Sequence, residues 1–194
     1  PIKHNSLTIP KGGQFMVELS DSPKVWLNSE SQIKYPVQFI AGETRRLELH
    51  YGEAYFDVSE SSKNGGDKFI VTTGIQEIEV LGTEFNIKAC SDDDEIRTTL
   101  VEGKVKVSNG FIQKTLKPSE QSILNVQSNK IIIRESPRVF DQIAWKQGYF
   151  SFKKIKMKEI MKTLSRWYDV EYTFQNPNDE NKSFTGVLDR ENSI

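Results

Sequence analysis

With a single cysteine, Cys90, this chain of 194 residues can close no internal disulfide. Only His4 and His50 stand beside it, so no Cys/His zinc cage can be assembled, because structural zinc takes four N or S ligands. Neither a metal nor any other cofactor is expected. Charge of one sign is also lacking. The 26 Lys and Arg face 27 Asp and Glu, a net charge of −1, which gives no bulk attraction to nucleic acid or to an anionic membrane. No run approaches the roughly 18 apolar residues of a membrane span, and no charged-then-apolar signal segment opens the chain. It begins at Pro1 rather than Met, so it reads as an excised piece, with any targeting or membrane segment expected upstream. The phosphate loop G-x-x-x-x-G-K-[ST], the dinucleotide fingerprint, the G-x-S-x-G elbow and H-E-x-x-H are all missing. An enzyme is not expected, nor a small-molecule substrate.

What is present is a globular composition with 36% hydrophobic residues and a clear change of pattern along the chain. From Leu7 to about Arg134 apolar residues alternate with polar ones at period two, broken at short intervals by turn residues, which is the mark of half-buried strands. Phe69–Val71, Glu77–Val80, Glu84–Lys88 and Val105–Val107 are the clearest. Breaks fall at Asn28-Ser29, Ala41-Gly42, Asn64-Gly65-Gly66, Thr73-Gly74, Asp92-Asp93-Asp94, Asn109-Gly110 and Ser128-Asn129. Asn109-Gly110 predicts a hairpin with a two-residue turn, since both residues tolerate positive φ. Three stretches beginning at Gly52, Gly82 and Gly103 share a glycine followed by alternating apolar residues. Their unequal spacing is no fixed repeat but is compatible with a twisted β-roll, a solenoid or a sandwich.

Past Pro137 the period changes. Val139, Phe140, Ile143 and Ala144 predict a short helix ending near Gly148, followed by a strand over Tyr149–Phe152. Met157, Ile160, Met161, Leu164, Trp167 and Tyr168 fall on one face of a helix of about three turns. Val170–Phe174 and Ser183–Leu188 alternate as strands, joined by a turn at Asn176–Asp179. Asn192-Ser193-Ile194 has the look of a helix N-cap. The order β-α-β-β suggests a β-α-β-β-α-β module lacking its second helix and last strand. The expected division is therefore an all-β domain over 1–137 and a small α+β module over 138–194.

Residues with chemical potential are better explained without catalysis. Glu77 and Glu79 share a strand face, but nothing predicts a raised pKa for either, so an exposed polar face is the reading. His50 lies opposite Leu47 and Leu49 beside Glu48, on a solvated face. Cys90 has no neighbouring His and reads as a structural thiol. Between Phe150 and Tyr168 lie six basic residues (Lys153, Lys154, Lys156, Lys158, Lys162, Arg166) and one acid, Glu159. They form a solvated helix face or a surface that steers an acidic protein partner.

Specific strings carry more than these patterns. Leu7-Thr8-Ile9-Pro10-Lys11-Gly12-Gly13-Gln14, Val25-Trp26-Leu27-Asn28, Gly52-Glu53-Ala54-Tyr55-Phe56-Asp57-Val58, Val80-Leu81-Gly82-Thr83-Glu84-Phe85-Asn86-Ile87, Thr99-Leu100-Val101-Glu102-Gly103, Leu116-Lys117-Pro118-Ser119-Glu120-Gln121, Trp145 to Phe152 and Arg166-Trp167-Tyr168-Asp169-Val170 follow in one order. Together they resemble the FecR family of anti-sigma factors in its Bacteroidetes form. The resemblance implies the periplasmic region of a regulator anchored in the inner membrane by a single upstream helix. A cytoplasmic segment outside this chain would bind an extracytoplasmic-function sigma factor. The tail would resemble a secretin and TonB short N-terminal fold. It would receive its signal from the N-terminal signalling domain of a TonB-dependent outer-membrane transporter, and membrane proteases would then release the sigma factor. Asp21-Ser22-Pro23-Lys24 and Pro118-Ser119-Glu120-Gln121 each put serine where the family has a turn glycine. Pro23 is expected to push Ser22 toward extended geometry.

Recognition would then use a strand edge and an aromatic cluster, for which Trp167, Tyr168, Tyr172, Phe174 and Phe184 are the candidates; the competing reading of each is a core aromatic. The alternative function is a periplasmic module that binds glycan directly, through exposed Trp26 or Tyr35.

Overall fold

The computed structural model describes residues 2–59, 67–135 and 138–190. Its first part is built from β1 (His4–Ile9), β2 (Phe15–Glu18), β3 (Lys24–Leu27), β4 (Ser31–Pro36), β5 (Arg45–Val58), β6 (Phe69–Thr73) and β7 (Gln76–Val80). These are followed by β8 (Thr83–Ala89), β9 (Glu95–Glu102), β10 (Val105–Ser108), β11 (Gln113–Leu116), β12 (Glu120–Asn125) and β13 (Ile131–Glu135). The thirteen strands share one sheet in the order β11-β10-β7-β6-β5-β8-β9-β12-β13, with β4 and β3 also pairing with β5 and carrying β1 and β2. It curls into a nearly closed, barrel-like roll. The predicted mainly-β class with a small α+β module is therefore what the structure has.

The 14-residue β5 organises the roll. Its first residues run parallel to β6, and from Gly52 onward it runs antiparallel to β8. Arg45, Leu47 and Leu49 point inward in its first half, but Ala54, Phe56 and Val58 do so in its second. The inward positions have changed parity. Period-two geometry permits that only at an irregularity, and the β4–β5 register shifts beside Gly52, whose φ is +98°. The shift turns Glu53 and Tyr55 to the other face while Phe56 stacks on Phe85, ring centroids 4.9 Å apart, inside the core. Arg45, also buried, is neutralised by Asp21 at 2.9 Å and donates to the Asp67 carbonyl.

Residues 140–190 form the second part. Helix α1 (Phe140–Ile143) runs into a 3-10 turn (Ala144–Gln147) that stops at Gly148, φ +84°. Then come β14 (Tyr149–Lys156), helix α2 (Met157–Tyr168), a 3-10 turn (Pro177–Asn181) and β15 (Ser183–Asp189), which pairs antiparallel with β14. Phe150, Phe152 and Ile160 make a small separate core, against which Met157, Leu164, Trp167 and Tyr168 pack. The helix ends at Asp169, a left-handed residue whose N–H bonds the Ser165 carbonyl.

Five expectations need correction or lie outside the described residues. Val170–Phe174 is not a strand: no other strand of the described residues pairs with it, and alternation alone cannot supply a ladder. The Asn109-Gly110 hairpin joins β10 to β11, but through the four residues Asn109–Ile112, because the Asn109 side chain accepts from both the Phe111 and Ile112 N–H groups. Ser22 is not extended: its φ is +81°, and its N–H bonds the Leu19 carbonyl within the turn. The breaks at Asn64–Gly66 and the cap at Asn192–Ile194 fall outside the described residues.

Candidate functional site

One row of paired residues runs across six strands of the roll: Trp26, Tyr55, Asn86, Thr99, Gln121 and Arg134 are successive partners on β3, β5, β8, β9, β12 and β13. They share the face opposite the core. The segment that starts the second part lies across this row. Gln142 accepts from the Gln121 amide at 3.0 Å, and Trp145 donates its indole N–H to Asn86 Oδ1 at 3.2 Å. The Lys146 ammonium sits 3.9 Å from the centroid of Trp26 and 4.0 Å from that of Tyr55. Burial lowers the Lys146 pKa, against the pull of Glu84 and Asp57. Burial, then the hydrogen bond to Glu84, raises that of Tyr55.

Helix α2 makes the second contact. Arg166, 8% exposed, reaches Asp92 and lies 3.3 Å from Glu30, while Lys162 lies 3.2 Å from Asp93 and 3.6 Å from Asp92. The Arg166 carbonyl accepts the N–H of Gly12 at 2.8 Å. Burial works against the charge on Asp92, but Arg166 and Lys162 outweigh it and hold this carboxyl below its ordinary value.

The third contact is Arg190, just past β15. It is 4% exposed, donates to the Trp145 carbonyl at 2.7 Å and to Asn28 Oδ1 at 3.0 Å, and lies 3.4 Å from the Trp167 ring centroid. Among the described residues no carboxylate forms an ion pair with it and nothing partners its Nε. Burial brings its pKa down to about 10, although Glu53 acts the other way. Between these contacts lies a cleft of about 230 Å³, which Cys90 also lines. Burial pushes the Cys90 thiol up to about 11.

The five aromatic candidates divide between two places. Trp167 and Tyr168 are half-buried and pack toward Arg190, whose carbonyl oxygen lies 3.4 Å from the indole nitrogen and 3.5 Å from the Tyr168 hydroxyl. Tyr172, Phe174 and Phe184 instead line an open apolar groove of about 380 Å³ with Met157 and Met161. The Tyr172 and Phe174 rings meet edge to face at 5.6 Å, and Phe184 is 45% exposed. Among the described residues β15 pairs with β14 alone, and it is exposed along its length.

The basic run divides as well. Lys162 and Arg166 are used inside the chain, whereas Lys153, Lys154, Lys156 and Lys158 stay exposed. The sequence reading missed Arg166, Lys146 and Arg190 as junction residues. The one available signal is the acidic triplet Asp92–Asp94, a turn by sequence pattern, of which Asp92 and Asp93 meet the basic helix.

The remaining candidates hold no chemistry of note. Glu77 pairs with Arg46 at 3.2 Å, and Glu79 with Lys68 and Lys106 at 3.1 Å each. Those lysines overcome burial and keep the Glu79 pKa low, the opposite of a general acid. Lys146 caps the Trp26 ring, and Tyr35 packs on the core, so neither forms the open platform that stacking on a sugar needs. Among the described residues no group of three or more His, Cys, Asp or Glu could hold a metal ion, and no helix is long and apolar enough to cross a membrane.

Comparison with known proteins gives a consistent result. The profile described as FecR protein matches residues 5–106, and that described as FecR, C-terminal, matches residues 149–194. Two crystal structures of candidate anti-sigma factors from Parabacteroides distasonis ATCC 8503 share the fold. The first, solved at 1.65 Å, has a TM-score of 0.85 and 28% identity over 97% of this chain and 86% of its own. The second, at 2.50 Å, has a TM-score of 0.86 and 28% identity over 98% and 86%. No protein of curated function matches the chain.

Proposed function

Because the chain belongs to the FecR family, a family of regulatory anti-sigma factors, we propose that it is the periplasmic signalling region of a membrane-anchored regulator. In this reading its second part docks the N-terminal signalling domain of a TonB-dependent outer-membrane transporter. The result passes to an extracytoplasmic-function sigma factor held by a segment outside this chain, with membrane proteases completing the release. The units divide at about residue 137, as the change of period suggests.

The observation that carries the reading is the groove. Tyr172, Phe174 and Phe184 expose aromatic surface beside Met157 and Met161, next to a strand, β15, whose second edge no described strand pairs. Aromatic residues and methionine are enriched at such contacts, and an open edge accepts a partner strand by main-chain pairing. The exposed Lys153, Lys154, Lys156 and Lys158 on the neighbouring elements favour a partner that is apolar at its centre and acidic at its rim. In this reading recognition by contact is the mechanism.

The test is a calorimetric titration of this chain with the transporter's signalling domain. Saturable binding is expected. Tyr172→Ala, Phe174→Ala and Phe184→Ala should each weaken it by about 1–2 kcal/mol or more, roughly tenfold and above, if they are hot spots. No binding at high micromolar concentration, or binding indifferent to all three changes, would falsify the reading.

A further inference from the structure

We propose that α2 is a lever: it couples the docking groove on one side to the β-roll on the other through a junction of ion pairs that opens and closes. The opening rests on the junction alone; the coupling rests on the docking reading above.

The helix carries both ends of the link. Met157 and Met161, one turn apart, line the groove. Lys162 and Arg166, also one turn apart, hold Asp92, Asp93 and Glu30 on the roll. Twelve hydrogen-bonded residues form a stiff rod, so a displacement at the methionines is carried to the arginine.

The junction itself is built to separate. The junction buries Trp145, but its other contacts are ion pairs, amide contacts and a cation over aromatic rings, the polar make-up of an interface that separates. Asp92 remains half exposed, so solvent ions reach the pairs. A cleft of about 230 Å³ lies between the two parts, and Arg190 is buried there with its Nε unpartnered and no carboxylate of the described residues in ion-pair contact. Arg190 is held there by two hydrogen bonds and the Trp167 ring, but its Nε gains hydration when the parts move apart, which narrows the gap between closed and open states.

The chain carries its own reporters. Cys90, the sole cysteine, lines the cleft, and the three tryptophans all sit at the junction: Trp26 under Lys146, Trp145 on Asn86 and Trp167 on Arg190. The experiment follows the rate at which a disulfide reagent labels Cys90, together with tryptophan emission. Between about 0.1 M and about 1 M salt the Debye length falls from about 10 Å to about 3 Å, and labelling should accelerate with a red shift in emission. At low salt Arg166→Gln should label about tenfold faster than the wild type with unchanged far-ultraviolet circular dichroism; Asp92→Asn with Asp93→Asn replaces it if that variant does not fold. A rate independent of both salt and these variants overturns the separable junction.

The coupling is read by adding the signalling domain. Saturating amounts should change the Cys90 rate of the wild type by about fivefold or more, and Arg166→Gln should change affinity by a similar factor, since linkage is reciprocal. Binding that leaves labelling unmoved overturns the lever while docking stands. Labelling that answers to salt and to Arg166→Gln in a chain that does not bind keeps the junction and overturns docking.

Discussion

Ser22 and Ser119 both hold a left-handed conformation that favours glycine, with φ of +81° and +69°. Serine has a Cβ that crowds the backbone there, at a cost of about 1–2 kcal/mol, partly offset because glycine would free the unfolded chain. Ser119→Gly is therefore expected to stabilise by a few tenths to about 1 kcal/mol, and Ser22→Gly likewise, measured by chemical denaturation. A destabilisation of that size in both would show that their side chains contribute more than their backbone costs. The serines were legible in the sequence, but their geometry was not. Local preference from Pro23 pointed to an extended Ser22, and the hydrogen bonds that close the turn between β2 and β3 overrode it.

At the same scale Asp92 and Lys162 define the pH range of the junction. A carboxyl held below its ordinary value contributes stability above that value and loses it as pH falls through the folded one; for Asp92 the loss begins below the ordinary 3.8. Lys162 is raised above 10.5, against burial, by Asp93 first and Asp92 after it, so its contribution persists below 10.5 and disappears as pH climbs past the raised value. Tryptophan emission should thus be flat across the neutral range and shift at both extremes. Asp92→Asn should reduce the acid shift, and an acid shift unchanged in that variant would assign it to other carboxyls.

Among the elements, β5 decides what the junction is made of. Its change of inward parity at Gly52 turns Tyr55 and Glu53 toward the second part of the chain. Gly52 is also where β4 comes closest: a Cβ there would lie 2.2 Å from the Ser31 hydroxyl oxygen and 2.5 Å from its Cα. Gly52→Ala is expected to cost about 2–5 kcal/mol, combining left-handed strain with overpacking. Gly110→Ala, left-handed but with open space about it, should cost only the strain. Equal effects in equilibrium unfolding would remove the close approach as the cause.

Elements were legible wherever pattern and partner coincided. Strand alternation located most of the roll, and six apolar positions located α2, because burial on one face follows directly from those periods. Val170–Phe174 has the same alternation with no described strand beside it, so the pattern alone misled. The Trp26–Arg134 row could not be seen, since it depends on the register of six strands at once. Lys162 and Arg166 looked like any solvated helix face, because their acidic partners lie some seventy residues away in sequence.

Across the whole molecule stability is distributed unevenly. Among the described residues, twenty-four buried apolar residues form the core of the roll, against three in the separate core of the second part. A core so small gives little independent stability, and the second part therefore borrows from the roll through Arg166, Lys146, Trp145 and Arg190. With the junction closed, the two parts should unfold together in one transition. Weakening it should separate them. In Arg166→Gln, or in high salt, tryptophan emission should change at lower denaturant than the far-ultraviolet signal, which comes chiefly from the thirteen strands, because the region that reports by fluorescence then opens first. In the wild type at low salt the two curves should coincide. Curves that coincide under every condition would mean that the roll and the second part form one cooperative unit whose cohesion does not depend on the ion pairs. The small core would then need another source of support than the junction.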